Sequence, residues 1–323
     1  MGDRSALRTG AGVSESASRV AALDCGTNSL RLLVADVDPA AGTLHDVLRR
    51  MEIVRLGQEV DRTGRLDPDA LTRTFAVLRE YAEQIRELGA ERVRLCATSA
   101  TRDAANRAEF ERGVTDILGV AADVVAGIAE AELSFAGATR EIVTGAFPTP
   151  YLVVDIGGGS TEYIVGSESV DAAISVDIGC VRLTERHLRD DPPAPSQIDD
   201  ALADIDEALD VVRSAVPVDQ AATLVGLAGS VTTVAALVLG LDDYDPARIH
   251  HAVIYRAHVA EVTRRLLGMG HRSRAALPAM HPGRVDIIGA GALVLLRTME
   301  RFDFTEVVAS EHDILDGIAW SLV

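Results

Sequence analysis

The sequence predicts an α/β protein built from two related halves. Three observations carry that expectation. Val20-Ala21-Ala22-Leu23-Asp24-Cys25-Gly26-Thr27-Asn28-Ser29-Leu30-Arg31 and Tyr151-Leu152-Val153-Val154-Asp155-Ile156-Gly157-Gly158-Gly159-Ser160-Thr161-Glu162 each run an apolar strand into Asp-x-Gly-x-x-Ser, 131 residues apart. A second apolar run follows each, so the repeated unit is strand, tight turn, strand. Beyond each unit, strands alternate with amphipathic helices, the order of a sheet covered by helices on its faces. A chain of 323 residues with 48% hydrophobic content is long and apolar enough for two cores.

The elements follow in order. Residues 1–18, rich in Ser, Gly, Ala and Arg and without an apolar signal core, read as a disordered leader. After the first turn, Leu44 to Val54 reads as a strand and Gly57 to Gly64 as a polar loop. Asp67-Pro68-Asp69 caps a helix whose apolar positions from Leu71 to Leu88 keep helical spacing until Gly89 ends it. Val93 to Ala97 is a strand running into Thr98-Ser99-Ala100 and a helix through Arg107 and Phe110. Val124-Val125 is a short strand. In the second half, Ile198, Leu202, Ile205, Leu209 and Val212 mark the buried face of a helix whose acids, Asp199 through Asp210, form its solvated side. Thr223 to Leu227 is a strand entering Ala228-Gly229-Ser230 and a further helix. Gly289 and Gly291 open a small-residue helix, and Glu306 to Ala309 is a strand before a last helix capped by Ser310, with Asp313 three residues on.

Composition excludes several kinds of function. A net charge of −18 argues against nucleic-acid binding, and a polyanionic substrate would need a local basic patch. All 31 basic residues are arginine, so no Walker-type or Schiff-base lysine exists, and anions must be held by guanidinium groups and backbone amides. Apolar runs break within about ten residues, short of the roughly 20 that a bilayer requires. Cys25, Cys96 and Cys180 have no metal-ligand spacing and suit a reducing cytoplasm. The histidines, His250 and His251 among them, form no HExxH and read as structural.

The turns carry the chemistry. An aspartate ending a strand can hold a hydrated cation, while the glycines after it let backbone N–H groups approach an anion. One such turn is common in β-hairpins. Two in matching frames, facing each other, would grip a metal-bound phosphate from both sides.

The order of motifs resembles the actin, sugar kinase and Hsp70 superfamily: Asp-x-Gly turn, strand-to-helix junction at Thr98 to Ala100, second Asp-x-Gly turn, Gly-Ser-x-Thr-Thr junction and Gly-x-Gly helix. Within it, the sequence is similar to the exopolyphosphatase and guanosine pentaphosphate phosphohydrolase family. The residues that carry the resemblance are Asp24 to Arg31, Ala97-Thr98-Ser99-Ala100-x-Arg102, Gly127-x-x-Glu130-Ala131, Asp155 to Glu162 and Gly179-Cys180-Val181-Arg182. It extends over residues 19–323 and is closest to the short actinobacterial exopolyphosphatase type.

The resemblance implies two ribonuclease H-like, actin-like ATPase domains around an active-site cleft, one of residues 19–127 plus 305–323 and one of 128–304. It implies magnesium as cofactor, inorganic polyphosphate as substrate and a cytoplasmic homodimer. Glu130 matches the base that deprotonates water, and Asp24, Asp155 and Glu162 would orient magnesium and that water, Glu162 with a catalytic part. Arg31, Arg102 and Arg284 would contact phosphoryl oxygens beside Asn28, Ser29 and Ser99, while Gly157, Gly158, Gly159 and Ser160 cradle the chain. The sequence departs from the pattern at Ala129, where many relatives have a second glutamate, at Glu132, where arginine is frequent, and at Ala228-Gly229-Ser230, a conservative change from Gly-Gly-Thr. The added helical domain of longer relatives has no counterpart, so short or moderate chains are the expected substrate. Guanosine pentaphosphate hydrolysis is the alternative by the same chemistry, and an ATP-driven kinase, a chaperone-like module or an inactive nucleotide sensor is the alternative of another class.

Overall fold

The computed structural model describes residues 17–140 and 147–323. Most of the expected leader lies outside the described residues, and the first strand already begins at Ser18.

The first unit is built on β1 and β2, whose apolar runs are buried on both faces, with β3 as a more exposed edge strand. β1 (Ser18–Cys25), β2 (Ser29–Asp38) and β3 (Thr43–Ile53) form an antiparallel meander. The Gly57 to Gly64 loop contains a one-turn helix, α1 (Val60–Thr63). α2 (Pro68–Leu88) starts where Asp67 accepts hydrogen bonds from the Asp69 and Ala70 N–H groups, and stops at Gly89, whose φ of 68° ends the helix. β4 (Arg92–Ala97) pairs parallel with β1. The helix expected through Arg107 is two helices, α3 (Ser99–Asp103) and α4 (Arg107–Leu118), and β5 (Ala122–Val124) completes the sheet. The order β3-β2-β1-β4-β5 is the expected ribonuclease H-like arrangement.

α5 (Gly127–Thr139) leads to the second unit. There β6 (Tyr151–Ile156), β7 (Thr161–Gly166) and β8 (Val170–Val176) repeat the meander, followed by α6 (Cys180–Arg186) and α7 (Pro195–Ala215). β9 (Thr223–Leu227) pairs parallel with β6 and runs into α8 (Ala228–Val238). Then come α9 (Pro246–Ile249), β10 (Val253–Tyr255), α10 (Arg256–Gly268), α11 (His271–Ala275) and α12 (Ile288–Arg301). β11 (Glu306–Ala309) precedes the last helix, α13 (Ile314–Trp320). The second sheet runs β10-β11-β9-β6-β7-β8; read from β8 it is the first sheet again, with β10 added antiparallel at one edge.

Two boundaries differ from expectation. β11 pairs with β9, so residues 306–309 belong to the second sheet, and the chain returns to the first unit only after Ala309. The last helix is capped by Asp313, not Ser310: Asp313 accepts from Leu315 N–H while Asp316 accepts from Asp313 N–H, a reciprocal box that sets the start at Ile314. Ser310 Oγ instead bonds the backbone of His312.

α5 and α13 join the units. α5 buries Ala129 and Leu133 among the residues that α13 packs on the first sheet, and Ala131, Phe135 and Ala138 against the second. The two helices meet backbone to backbone. A Cβ at Gly137 would lie 1.8 Å from the Asp313 carbonyl oxygen, and one at Gly317 would lie 1.9 Å from that of Leu133. Glycine is required at both positions by proximity.

Candidate active site

The paired turns meet. Thr27 Oγ1 of the first lies 3.1 Å from Ser99 Oγ at the start of α3. The second turn seats on this pair, because a Cβ at Gly159 would sit 2.5 Å from Ser99 Oγ and one at Gly158 would sit 2.8 Å from the Thr27 side chain. The carbonyls of Gly157 and Gly158 accept from Cys180 and Val181 N–H at 2.9 and 2.8 Å, which fixes the glycine loop to the first turn of α6. Between the units lies a cleft enclosing about 100 Å³.

Three carboxylates gather on its β6 side. Asp155 ends β6 opposite Glu162 on β7, and Glu130 sits in the first turn of α5. Ser134, one turn beyond Glu130, donates to Asp155 Oδ2 at 2.7 Å. Ser160 and Ser175 hydroxyls donate to Glu162 Oε1 at 2.8 and 2.6 Å. Arg102 spans Val125 O at 3.1 Å and Glu130 Oε2 at 3.3 Å. Burial, then repulsion from Glu162 and Asp155, holds the Glu130 carboxyl well above the usual range against the pull of Arg102. Asp155 is pushed up to about 8, first by burial and then by Glu162 and Asp313, with the Ser134 bond opposing. Glu162 is raised by burial despite its serine donors. An acid cluster with one guanidinium beside it is short of positive charge.

In the first turn a guanidinium opposes the same burial, although burial still raises Asp24 against the charge and hydrogen bonds of Arg31. Arg31 gives two hydrogen bonds to Asp24 Oδ2, at 2.9 and 2.7 Å, and a third to Asp313. Burial would raise Asp313, but the charge and bonds of Arg31 outweigh it and hold the carboxyl below its usual range.

Asp24, Asn28, Ser29, Arg31, Ser99, Glu130, Asp155, Gly157, Gly158, Ser160 and Arg284 line the cleft, as the sequence reading requires. Three others stand behind its wall. Glu162 is only 1% exposed and accepts at Oε1 from the Ser160 and Ser175 hydroxyls, so it does not line the cleft itself although its charge bears directly on Glu130. Arg102 reaches Glu130 from behind, and Gly159 faces Ser99 and Thr27 rather than the cleft. Ser134 and Asp313 were missed. Ser134 could have been found from its i,i+4 spacing to Glu130 on one helix face, whereas the tie from Asp313 to Arg31 spans 282 residues and leaves no local signal.

The donor set suits magnesium in one respect and limits it in another. It is all oxygen, and the excess of buried acid at Asp155 and Glu130 calls for a cation. Yet among the described residues no group of three or more His, Cys, Asp or Glu side chains could hold a metal unaided. Magnesium commonly takes one or two carboxylates and completes its shell with phosphate and water, and Asp155 with the cleft-facing edge of Asp24 fits that use.

A sequence model of the Ppx/GppA phosphatase family matches residues 33–323. The chain belongs to that family. Exopolyphosphatase 2 of Mycobacterium tuberculosis is 51% identical over 316 residues, covering 94% of this chain and 98% of the relative. Among solved structures, an exopolyphosphatase-like protein is 42% identical with a TM-score of 0.89, covering 94% of this chain and 98% of that one. The Aquifex aeolicus PPX-GPPA enzyme is 32% identical with a TM-score of 0.79, covering 94% and 99%. Among the described residues no helix is long and apolar enough to cross a membrane.

Proposed function

We propose that this protein is an exopolyphosphatase, removing the terminal phosphate of inorganic polyphosphate by attack of water. The observation that carries the reading is Glu130: a buried base candidate, raised in pKa, at a cleft lined by both glycine turns. General bases need pKa values above those of ordinary carboxylates to work near neutral pH, and burial, then the charges of Glu162 and Asp155, shift Glu130 in that direction. Glu130 takes a proton from water, the oxygen forms a bond to the terminal phosphorus, and the bond from that phosphorus to the bridging oxygen breaks. The products are orthophosphate and a chain one unit shorter. Arg102 steers the Glu130 carboxylate from behind, Ser134 orients Asp155, and the Gly157-Gly158 backbone with Ser160 holds the phosphoryl oxygens. Asp155 and Asp24 would hold magnesium there, and the ion would supply charge neutralisation to those oxygens.

The wall also bears on the substrate. Among the described residues none that lines the cleft is aromatic, so those residues offer a nucleobase no ring to stack on. Three free, buried thiols support a reducing compartment such as the cytoplasm.

A phosphate-release panel tests the reading: short polyphosphate, long polyphosphate, guanosine pentaphosphate and ATP, each with and without magnesium. Short polyphosphate with magnesium is expected to give the highest turnover per chain end. Preference for guanosine pentaphosphate would replace the reading by the alternative activity. Equal or better turnover on long chains without released intermediates would point to a channel formed between two copies.

A further inference from the structure

Arg182 on α6 does not line the cleft, yet its guanidinium grips both units at once. Nε donates to the Gly159 carbonyl at 2.7 Å, in the glycine loop of the second unit. Nη1 holds Asp61 on α1, and Nη2 holds Asp103 on α3 at 2.8 Å, both in the first unit. Exposed Asp177 lies 3.5 Å from the same Nη2. The Arg182 side chain is only 12% exposed, and a planar fork with donors on three sides fixes its partners relative to one another as a point charge could not.

Asp103 carries the contact onward. Its Oδ2 accepts from Arg182, while its Oδ1 lies 3.9 Å from Nε of Arg102, and Arg102 Nη1 reaches Glu130 Oε2 at 3.3 Å. A chain of alternating charge therefore runs from the Gly159 carbonyl through Arg182, Asp103 and Arg102 to Glu130. It leaves the second unit, crosses the end of α3 in the first, and returns at α5. The other end of α3 meets the same loop, since a Cβ at Gly159 would sit 2.5 Å from Ser99 Oγ. The loop does not need the Arg182 side chain for its own shape: Gly157 O accepts from Cys180 N–H at 2.9 Å, and Gly158 O from the Val181 and Arg182 N–H groups at 2.8 and 3.1 Å. Removing that side chain leaves the cradle standing and loosens the end of α3 that bears Arg102.

We propose that Arg182 is a positioning residue for the reaction: through Asp103 it sets Arg102 against Glu130, so that the base is aimed only while the glycine loop and α3 are held together. The inference rests on the exopolyphosphatase reading and adds a condition to it. Closing the cleft and aligning the base become one event.

The test measures kcat and KM for phosphate release from short polyphosphate with magnesium in wild type, Arg182→Ala, Asp103→Asn and Asp61→Asn, with folding checked by circular dichroism. Arg182→Ala is expected to lower kcat about ten- to a hundredfold with KM nearly kept, the scale on which small misplacements of reacting groups act. Asp103→Asn should fall in the same way, and it carries the test alone if Arg182→Ala fails to fold. Asp61→Asn removes a carboxylate that Arg182 also holds but that lies off the chain to Glu130, and its kcat should stay near that of wild type. In an Arg102→Ala background, adding Arg182→Ala should lower kcat no further, because both act through one contact. Losses that multiply in that pair overturn the inference. So does an unchanged kcat in folded Arg182→Ala, whatever happens to KM, or a fall in Asp61→Asn equal to that in Asp103→Asn, which would leave Arg182 as a fastening of the rim. Failure of the wild type to release phosphate from polyphosphate would instead overturn the exopolyphosphatase reading.

Discussion

Arg31 and Glu162 occupy the same position of the repeat: Arg31 faces Asp24 across the first hairpin, and Glu162 faces Asp155 across the second. One hairpin therefore pairs an acid with a base and neutralises itself, while the other pairs acid with acid. The second hairpin carries the unbalanced charge, and Glu130 adds to it from α5. This asymmetry leaves the excess of buried acid on the β6 side of the cleft.

Glu130→Gln tests the base. General-base catalysis is worth about 10² to 10⁴ in rate, and kcat for phosphate release is expected to fall on that scale with KM nearly kept. Glu132, exposed on the same helix, is the control; its Gln variant should lose less than about tenfold on that scale. Equal losses in the two variants would remove Glu130 from the reaction.

Asp155→Asn is expected to raise the magnesium concentration needed for half-maximal rate and to lower kcat. It should also stabilise the metal-free protein. Because Asp155 is raised from 3.8 to about 8, the folded state holds more protons than the unfolded state between those values, and stability falls as pH rises through them. The gain in Tm over wild type should therefore be small near pH 4, grow towards pH 8 and shrink when magnesium is added. A gain independent of pH would show that Asp155 carries no such strain.

Ser134→Ala removes the hydroxyl bond that lowers Asp155. Hydrogen bonds to charged groups are worth about 1.5–3 kcal/mol, or roughly one to two pH units. The acid limb of the kcat/KM profile should move to higher pH by up to that amount, and Ser134→Thr should restore it. A profile that only falls in height would leave Ser134 with a packing role.

Ala228→Gly should stabilise the protein. Ala228 adopts φ 63° at the entry to α8, so the change from glycine that the resemblance implied is not conservative for the backbone. The left-handed region costs a non-glycine residue about 1–2 kcal/mol, partly offset by the extra freedom that glycine loses on folding. A net gain of about 0.5–1 kcal/mol in urea unfolding is expected from those two effects.

What the sequence makes legible is what local chemistry decides. Asp67, Pro68 and Gly89 bracket α2 because capping and left-handed termination act within a few residues. The two Asp-x-Gly turns are equally local, and so they name Asp24, Asp155 and the glycine loop. Sheet membership is not local: four residues of β11 carry no mark of their partner β9, which lies some 80 positions earlier in the chain. The orientation of Glu162 is hidden for the same reason. Its spacing puts it opposite Asp155 and two residues from Ser160, but Ser175, the second donor to its Oε1, arrives on the next strand.

The chain passes between the units twice, through α5 and into α13, and those passages lie against each other at Gly137 and Gly317. Two adjacent strips fastening two leaves leave one easy motion, a swing about the line where the strips touch. On the opposite rim, Arg182 and Arg186 of α6 hold Asp61, and Arg182 also holds Asp103, ion pairs that sit near solvent. Such pairs are worth about 0–1 kcal/mol each, far less than the glycine-packed crossing. A separation of the two units beginning at that rim would leave Glu130, in the first turn of α5, close to the axis and beside Asp155.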